Sequence, residues 1–446
     1  MKSRHLLFAI LLLNPIAVLA GTYAIVNVNV IPMTSEAVLI ARTVVVIDGR
    51  IAAIGEVEKT PIPKDAKIID GTDRYLMPGL SEMHAHVPGA TSKDLDRVLG
   101  LFVANGITLI RGMLGQPSHL ELREKLAHGE VLGPRLFTSG PSFNGNSVSS
   151  PAQAAEMVRE QHRGGYDFLK IHPGLSNAEF HAVADTAREL GMPFAGHVPE
   201  DVPIEEALVA GIATIDHLDG YMVSLLKAND DPSGGYGGFF GVFLADLADE
   251  GRIARIARET ADAGVWNVPT EALFEHLVSA EDVRRMSQWP EMKYMPSGTV
   301  SNWQEAKLGF LNDVSYKSST VERAIELRRK LILALHRAGA GLLLGSDAPQ
   351  VFNVPGFSIH RELRMLVEAG LSPFEALQTG TVYPASFLNQ EARFGTVQTG
   401  LDADLVLLDG NPLDDIDNSR RIHGVILGTR WLSRQDLDRL LKQFER

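Results

Sequence analysis

Apolar positions follow two rhythms along the chain. Near the beginning, Ala24 to Ile31, Thr43 to Ile47 and Ile51 to Ile54 are short β-branched runs. The last two flank Asp48-Gly49-Arg50, and Asp-Gly between such runs predicts a hairpin, because both turn positions tolerate positive φ. Ala403 to Leu408 and Gly424 to Leu427 read the same way near the other end, with turns at Asp409-Gly410-Asn411-Pro412 and at Gly428. Between these strand-rich ends, short apolar strands alternate with segments of helical period, as parallel βα units require. One crossover is legible residue by residue. Pro151 to Arg163 reads as a helix stopped by Gly164-Gly165, and Asp167 to Ile171 as a strand. Ser176 and Glu179 then make a capping box for a helix to Leu190, closed by Gly191, and Pro193 to Gly196 is the next strand. Pro203 to Ala210 is helical and Gly211 to Ile215 extended. Further strands are expected at Leu76 to Met83, Ile107 to Ile110, Arg135 to Thr138, Val265 to Val268 and Leu342 to Leu344. The total is eight. The predicted fold is α/β, a (β/α)8 TIM-type barrel with its chemistry at the C-terminal strand ends; an open doubly wound sheet is the alternative.

Composition narrows the class. With 446 residues, 45% hydrophobic and 22% charged, the chain is long enough for one large barrel and an accessory domain, and is neither disordered nor a membrane protein in composition. A formal net charge of −13 argues against a nucleic-acid partner, which needs a basic face, and against a polyanionic substrate. Lys2 and Arg4, the apolar run Leu6 to Leu13 and the small residues ending at Ala20 have the layout of a secretory signal peptide. The expectation is cleavage near Ala20, a secreted or periplasmic protein and no stable membrane anchor. Cysteine is absent, so disulfides and thiolate chemistry are excluded and any metal is bound through nitrogen and oxygen.

The candidate chemistry sits at the predicted strand ends. His84 and His86 alternate along one strand and therefore face the same side of it, within reach of one ion. Lys170 ends the run Phe168-Leu169. A buried lysine needs a lowered pKa or a partner; one solution is a carbamate formed with CO₂, which offers two oxygens to two cations, and another is an ammonium reaching out over the rim. His197 and His217 each follow the last apolar residue of a strand. Asp347, after Leu342-Leu343-Leu344, is a carboxylate with little purpose at a strand end unless a cation or donors lie nearby. Together these six residues make a set suited to zinc, with manganese, iron or cobalt as alternatives. Such a centre hydrolyses carbonyl compounds: the cation acidifies water and polarises the carbonyl, while Asp347 acts as catalytic base and passes the proton to the leaving group. No Gly-x-Ser-x-Gly elbow supports a serine mechanism.

These motifs, in this order, resemble the amidohydrolase superfamily, in its imidazolonepropionase-like and Xaa-Pro dipeptidase (prolidase-like) branch. The resemblance runs over nearly all of the mature chain: Asp48-Gly49-Arg50-Ile51, Pro78-Gly79 before His84-Ala85-His86, Gly106-Ile107-Thr108, Gly133-Pro134-Arg135, Phe168-Leu169-Lys170-Ile171, the two single histidines, Gly345-Ser346-Asp347 and Gly400-Leu401-Asp402-Ala403-Asp404-Leu405-Val406. It implies a small β-sandwich built from both chain ends (21–75 and 393–432), a barrel over 76–392 and a C-terminal helix over 433–446. It also implies a binuclear centre, with His84, His86 and Asp347 on one metal, His197 and His217 on the other, and carboxylated Lys170 bridging; some members use a single metal. Glu82 stands where the family usually places an aspartate.

Specificity is expected from the crossover Thr270 to Gly341, which is much longer than a βα unit needs. It holds Phe274, His276, Trp289, Met292, Tyr294, Met295, Trp303 and Phe310, either as an aromatic lid over the metals or as a packed satellite helix pair. Asp230 to Gly241 reads as a second, flexible loop. Arg111, His172, Tyr221 and His276 are the candidate substrate contacts, the first and third for a carboxylate or developing oxyanion. The expected partner is a small amide or peptide, a dipeptide such as Xaa-Pro or an N-acyl amino acid. Cyclic amide or lactone hydrolysis, deamination and a non-catalytic binding role are the alternatives, and a homo-oligomer is expected.

Overall fold

The computed structural model of the chain describes residues 21–227 and 237–446. The leader expected over 1–20 lies outside them, as does most of the loop expected at Asp230 to Gly241. Among the described residues no helix is long and apolar enough to cross a membrane.

The two chain ends meet in one eight-stranded sheet. Its strands are β1 (Tyr23–Val30), β2 (Leu39–Ile47), β3 (Arg50–Glu56), β4 (Lys67–Asp70) and β5 (Tyr75–Pro78). From the far end come β13 (Leu405–Leu408), β14 (Ile422–Leu427) and β15 (Arg430–Ser433), after the seven central strands described below. The order is β15-β14-β13-β5-β1-β2-β3, with β4 also paired to β1. β2 and β3 are antiparallel around Asp48 (φ 51°) and Gly49 (φ 75°), the doubly left-handed turn that the Asp-Gly pair predicts. Val28, Val44, Ile51, Leu405 and Ile426 share a buried core here, so apolar side chains from opposite chain ends hold the sheet together. The helix Arg434–Lys442 follows, started by a capping box from Ser433 and Asp436.

The central strands are β6 (Leu80–Ala85), β7 (Ile107–Gly112), β8 (Arg135–Thr138), β9 (Leu169–Ile171), β10 (Phe194–Gly196), β11 (Thr214–Asp216) and β12 (Trp266–Val268). They form two parallel sheets, β6-β7-β8 and β9-β10-β11-β12. A parallel bridge between Ser139 and Phe168 joins them on one side. On the other, the extended segment Leu342 to Leu344 and the Gly341 before it pair with both neighbours: the Gly341 carbonyl accepts the Asn267 N–H (2.8 Å), the Leu343 N–H donates to the Asn267 carbonyl (2.8 Å), and the Leu344 carbonyl accepts the Met83 N–H (2.8 Å). Met83, Leu109, Val268 and Leu343, from four well-separated parts of the chain, form one buried cluster between these strands.

The crossover read from sequence is present: Pro151–Gly164 is helical and ends at Gly165 (φ 78°), and Asn177–Leu190 starts at the Ser176–Glu179 box and ends at Gly191 (φ 66°). One reading needs correction. Leu76 to Met83 is not a single strand, because the chain leaves the terminal sheet at Pro78 and enters the parallel sheet at Leu80. Gly79 makes the transfer: its N–H donates to Asp404 (2.9 Å), and a Cβ there would lie 2.3 Å from Thr108. The insertion after β12 is a packed satellite, not an aromatic lid. Met286, Met292, Tyr294, Met295, Val300, Trp303 and Phe352 make a separate core, and Phe310 packs on Phe243 and Tyr316. Phe274, by contrast, stacks on Phe239 (6.4 Å between ring centres), which packs on Phe240, and the Phe240 ring stacks 4.8 Å from that of His217.

Candidate metal centre

Parallel pairing puts the C-terminal ends of β6 to β12 on one edge, and the sequence places a polar group at several of them. His84 lies within β6 and His86 one residue beyond it; Lys170 lies within β9; His197 and His217 each follow their strand by one residue; Asp347 comes three residues after Leu344. All six come together. The ligand atoms of His84, His86 and Asp347 lie within 4.8 Å of one another, with His86 Nε2 3.0 Å and His84 Nε2 3.8 Å from Asp347 Oδ1. The His217 ring centre is 4.5 Å from that of His84 and 4.6 Å from that of His197. Lys170 is fully buried, its Nζ 3.7 Å from Asp216 Oδ2.

The backbone is bent to make this arrangement. His217 (φ 64°), Leu218 (φ 52°), Thr270 (φ 49°) and Asp347 (φ 60°) all occupy the left-handed region although none is glycine. Each such residue costs of order 1–3 kcal/mol, a strain the surrounding fold must hold. Glycine opens space where two chains pass. Gly345 has no room for a Cβ, which would lie 2.5 Å from Val268 and 3.0 Å from the His84 nitrogen. Gly196 (φ 126°) leaves bare the spot beside Lys170, where a Cβ would stand 3.1 Å from Nζ.

Neighbouring polar groups fix the imidazoles. Asp219 Oδ2 is 3.0 Å from His197 Nδ1, and Thr270 Oγ1 is 2.8 Å from His217 Nδ1, which also lies 3.8 Å from Asp347 Oδ2. Gln350 Nε2 lies 3.3 Å from His86 Nδ1, and Asp216 Oδ2 2.9 Å from His84 Nδ1. Glu82 ties β6 to the Asp347 corner: its Oε1 accepts from the N–H groups of His84 (3.0 Å) and Ser346 (2.8 Å), and its Oε2 from Ser346 Oγ (2.5 Å). A glutamate at this position therefore bonds the two corners directly.

Burial, reinforced by the Lys170 charge, holds His84 and His197 well below the ordinary imidazole range and pulls His86 down to about 3. His217 is lowered by burial and then by its histidine neighbours. All four are neutral, the form that binds cations. Burial also lowers Lys170 to about 8, against the pull of Asp216 and Asp347, and raises Asp347 well above the usual carboxylate range. Burial would raise Asp216 too, but Arg111 and Lys170 beside it outweigh that and keep it low.

A divalent cation fits these residues. Lys170 Nζ and Asp347 Oδ1 are buried at the centre with no hydrogen-bond partner among the described residues, and orphaned groups of this kind are costly in a finished interior. Neutral imidazoles with a carboxylate are the donor set that zinc and its neighbours prefer. Across most of the chain, residues 75–432 match the model of the Amidohydrolase family. The chain belongs to that family. It is accordingly a hydrolase acting on carbon–nitrogen bonds. It is 23% identical to ochratoxinase from Aspergillus niger over 401 residues, covering 83% of this chain and 78% of that enzyme. Among solved structures it is similar to bottromycin amidohydrolase (TM-score 0.72, 24% identity, 95% of this chain and 90% of the other). A putative prolidase from Bifidobacterium longum is also similar (TM-score 0.66, 23% identity, 95% and 99%). A TIM barrel with an extra domain is the architecture these neighbours imply.

Of the four expected substrate contacts, three are corrected. Arg111 is 1% exposed: its Nε donates to the Met83 carbonyl (2.7 Å) and its terminal nitrogens to Thr214 Oγ1 (3.2 Å) and Asp216 (3.3 Å), so it braces the strands from below. Tyr221 is buried with its hydroxyl on Asn267 (2.7 Å) and Thr260 (3.0 Å). His276 is buried in the insertion, its Nδ1 2.7 Å from Asn353 Oδ1, while Asn353 Nδ2 bonds the Ser346 carbonyl. Only His172 stands at the centre's edge, half-buried, its ring 5.2 Å from that of His197. Asp216, Asp219 and Thr270 escaped the sequence reading. The first two lie in the same Asp-His-Leu-Asp run as His217, and a polar residue next to a strand-end histidine is the signal that would have pointed to them.

Proposed function

We propose that the chain cleaves an amide bond in a small substrate, a dipeptide such as Xaa-Pro or an N-acyl amino acid, at a centre holding two divalent metals. The observation that carries this is the meeting, at one edge of the parallel sheets, of four neutral imidazoles with the Lys170 amine and the Asp347 Oδ1, both buried without a hydrogen-bond partner among the described residues. His84, His86 and Asp347 would hold one cation, His197 and His217 the other. Lys170 would join them as a carbamate, formed when its neutral amine adds to CO₂ and loses one proton. When bound, such metals supply Lewis acidity, lowering the pKa of water and polarising a carbonyl.

The protein's own residues do the rest. Asp347 would take a proton from the attacking water and return it to the departing amine. Asp219 and Thr270 keep two rings oriented while this happens. His172 is the contact for the substrate's polar end. The names of the relatives, an amidohydrolase and a prolidase, favour an amide over other carbonyl compounds. We further propose that the two parallel sheets and Leu342 to Leu344 form a single (β/α)8 barrel, for which the main-chain bonds at Ser139–Phe168, Asn267–Leu342 and Met83–Leu344 are the support.

The test is a panel of dipeptides, N-acyl amino acids, cyclic amides, lactones and aminated heterocycles given to the metal-loaded protein. Turnover of the first two groups, abolished by chelation and restored by zinc, is expected. His84→Ala and Asp347→Asn should each lower kcat by orders of magnitude. Hydrolysis that survives chelation, or that is confined to lactones or heterocycles, overturns the reading.

A further inference from the structure

A single guanidinium holds the two strand ends that deliver His217. Arg328 lies far away in sequence, on the helix Ser318–Ala338, and is 3% exposed. Its Nη1 donates to the carbonyl of His217 (2.8 Å), its Nη2 to the carbonyl of Pro269 (3.0 Å) and its Nε to Glu271 (2.9 Å), over the face of Phe274 at 4.0 Å. The carbonyls it grips lie at left-handed turns of the site. His217 and Leu218 are left-handed, and Pro269 precedes Thr270, also left-handed, whose hydroxyl bonds His217 Nδ1. The guanidinium therefore fixes where the His217 backbone sits and where the hydroxyl that orients its ring sits. A lysine cannot do both, because its ammonium is a point donor without the planar fork.

Glu362 completes the brace. Its two carboxylate oxygens accept the N–H groups of Glu271 (2.9 Å) and Ala272 (2.7 Å), capping the helix Glu271–Val278 that starts at Thr270. The turn after β12 is thus pinned from both sides. His84 and the Asp347 corner depend on other bonds, through Glu82 and Ser346, and His86 on Gln350.

We propose that Arg328 is a positioning residue for one half of the centre: it aligns His217 for the cation shared with His197 and leaves the His84–His86–Asp347 half untouched. This rests on the two-cation reading above. Groups that orient a metal's histidine ligands typically change its affinity 10–100-fold when removed. The expected signature is therefore selective: one cation loosened and one retained.

The experiment compares the parent, Arg328→Lys, Arg328→Met and Thr270→Val, each stripped of metal and titrated with zinc against a chromophoric chelator, with circular dichroism to verify folding. The parent is expected to bind two equivalents. Arg328→Met and Thr270→Val should keep one near parental affinity and bind the other at least tenfold more weakly, with Arg328→Lys between them and the parent. Should Arg328→Met fail to fold, Arg328→Lys and Thr270→Val decide by the same criterion. Folded variants that hold every equivalent the parent holds with unchanged affinity, or that lose all equivalents alike, overturn the role of Arg328 while the metal centre stands. A parent that binds no zinc overturns the metal reading itself, and this inference with it.

Discussion

Glu82 offers a sharp test of how the site is held together, because its two oxygens have different partners. Oε1 takes the buried N–H groups of His84 and Ser346, and Oε2 takes the Ser346 hydroxyl, which also touches Ser358 Oγ at 2.7 Å; Ser358 in turn donates to the Val354 carbonyl. In Glu82→Gln the amide oxygen can keep both N–H groups. The amide nitrogen then donates one proton to Ser346 Oγ, whose own proton turns to Ser358 Oγ, so every donor that Glu82 served keeps an acceptor and only the second amide proton is left over. Glu82→Leu keeps the volume but orphans two buried backbone donors, each costing about 1–3 kcal/mol. The expected loss is therefore about 2–6 kcal/mol for leucine, with two orphaned donors, and half of that, about 1–3 kcal/mol, for glutamine, with one. Denaturant unfolding of the metal-free proteins at one fixed pH measures the difference, and zinc titration should show the leucine variant weakened at the His84–His86–Asp347 half. If leucine proves as stable as the parent, or glutamine as damaging as leucine, this hydrogen-bond chain is not what joins the two corners.

Three further outcomes are expected. Gly196→Ala would place a methyl 2.4 Å from the Ile171 carbonyl and 3.1 Å from Lys170 Nζ. A loss of about 2–5 kcal/mol, from positive φ and overpacking together, should appear in the melt along with reduced zinc uptake; full uptake would show that Lys170 does not need that space. Trp303→Ala should cost about 3–5 kcal/mol and leave KM near the parent's, since Trp303 is core of the insertion and not a lid; a raised KM in a stable variant would restore the lid. Glu362 is pushed up to about 8 by burial, above the 4.5 of an ordinary glutamate. A raised folded-state pKa means that its contribution is full below 4.5 and is lost as pH rises towards about 8. Glu362→Gln should flatten stability across that window, and an unchanged pH profile would refute it.

The sequence by itself determined whatever depends on near neighbours. Asp48-Gly49 turns because both residues accept positive φ, and Ser176 with Glu179 starts a helix because they cap it reciprocally. The convergence of His84, His86, Lys170, His197, His217 and Asp347 was legible because parallel strands bring every C-terminal end to one edge, so position along a strand is enough to predict it. Tertiary structure alone decided what depends on partners far along the chain. Nothing local says that the run Leu76 to Met83 is divided at Gly79, since the strands on either side, β13 and β7, are distant in sequence. Polar residue type could not show that Arg111, Tyr221 and His276 spend their hydrogen bonds inside the protein, nor that Arg328 reaches back to a carbonyl 111 residues away. A periodic pattern tells which face is buried, but the identity of the group that satisfies a buried donor is fixed only when the whole interior has closed around it.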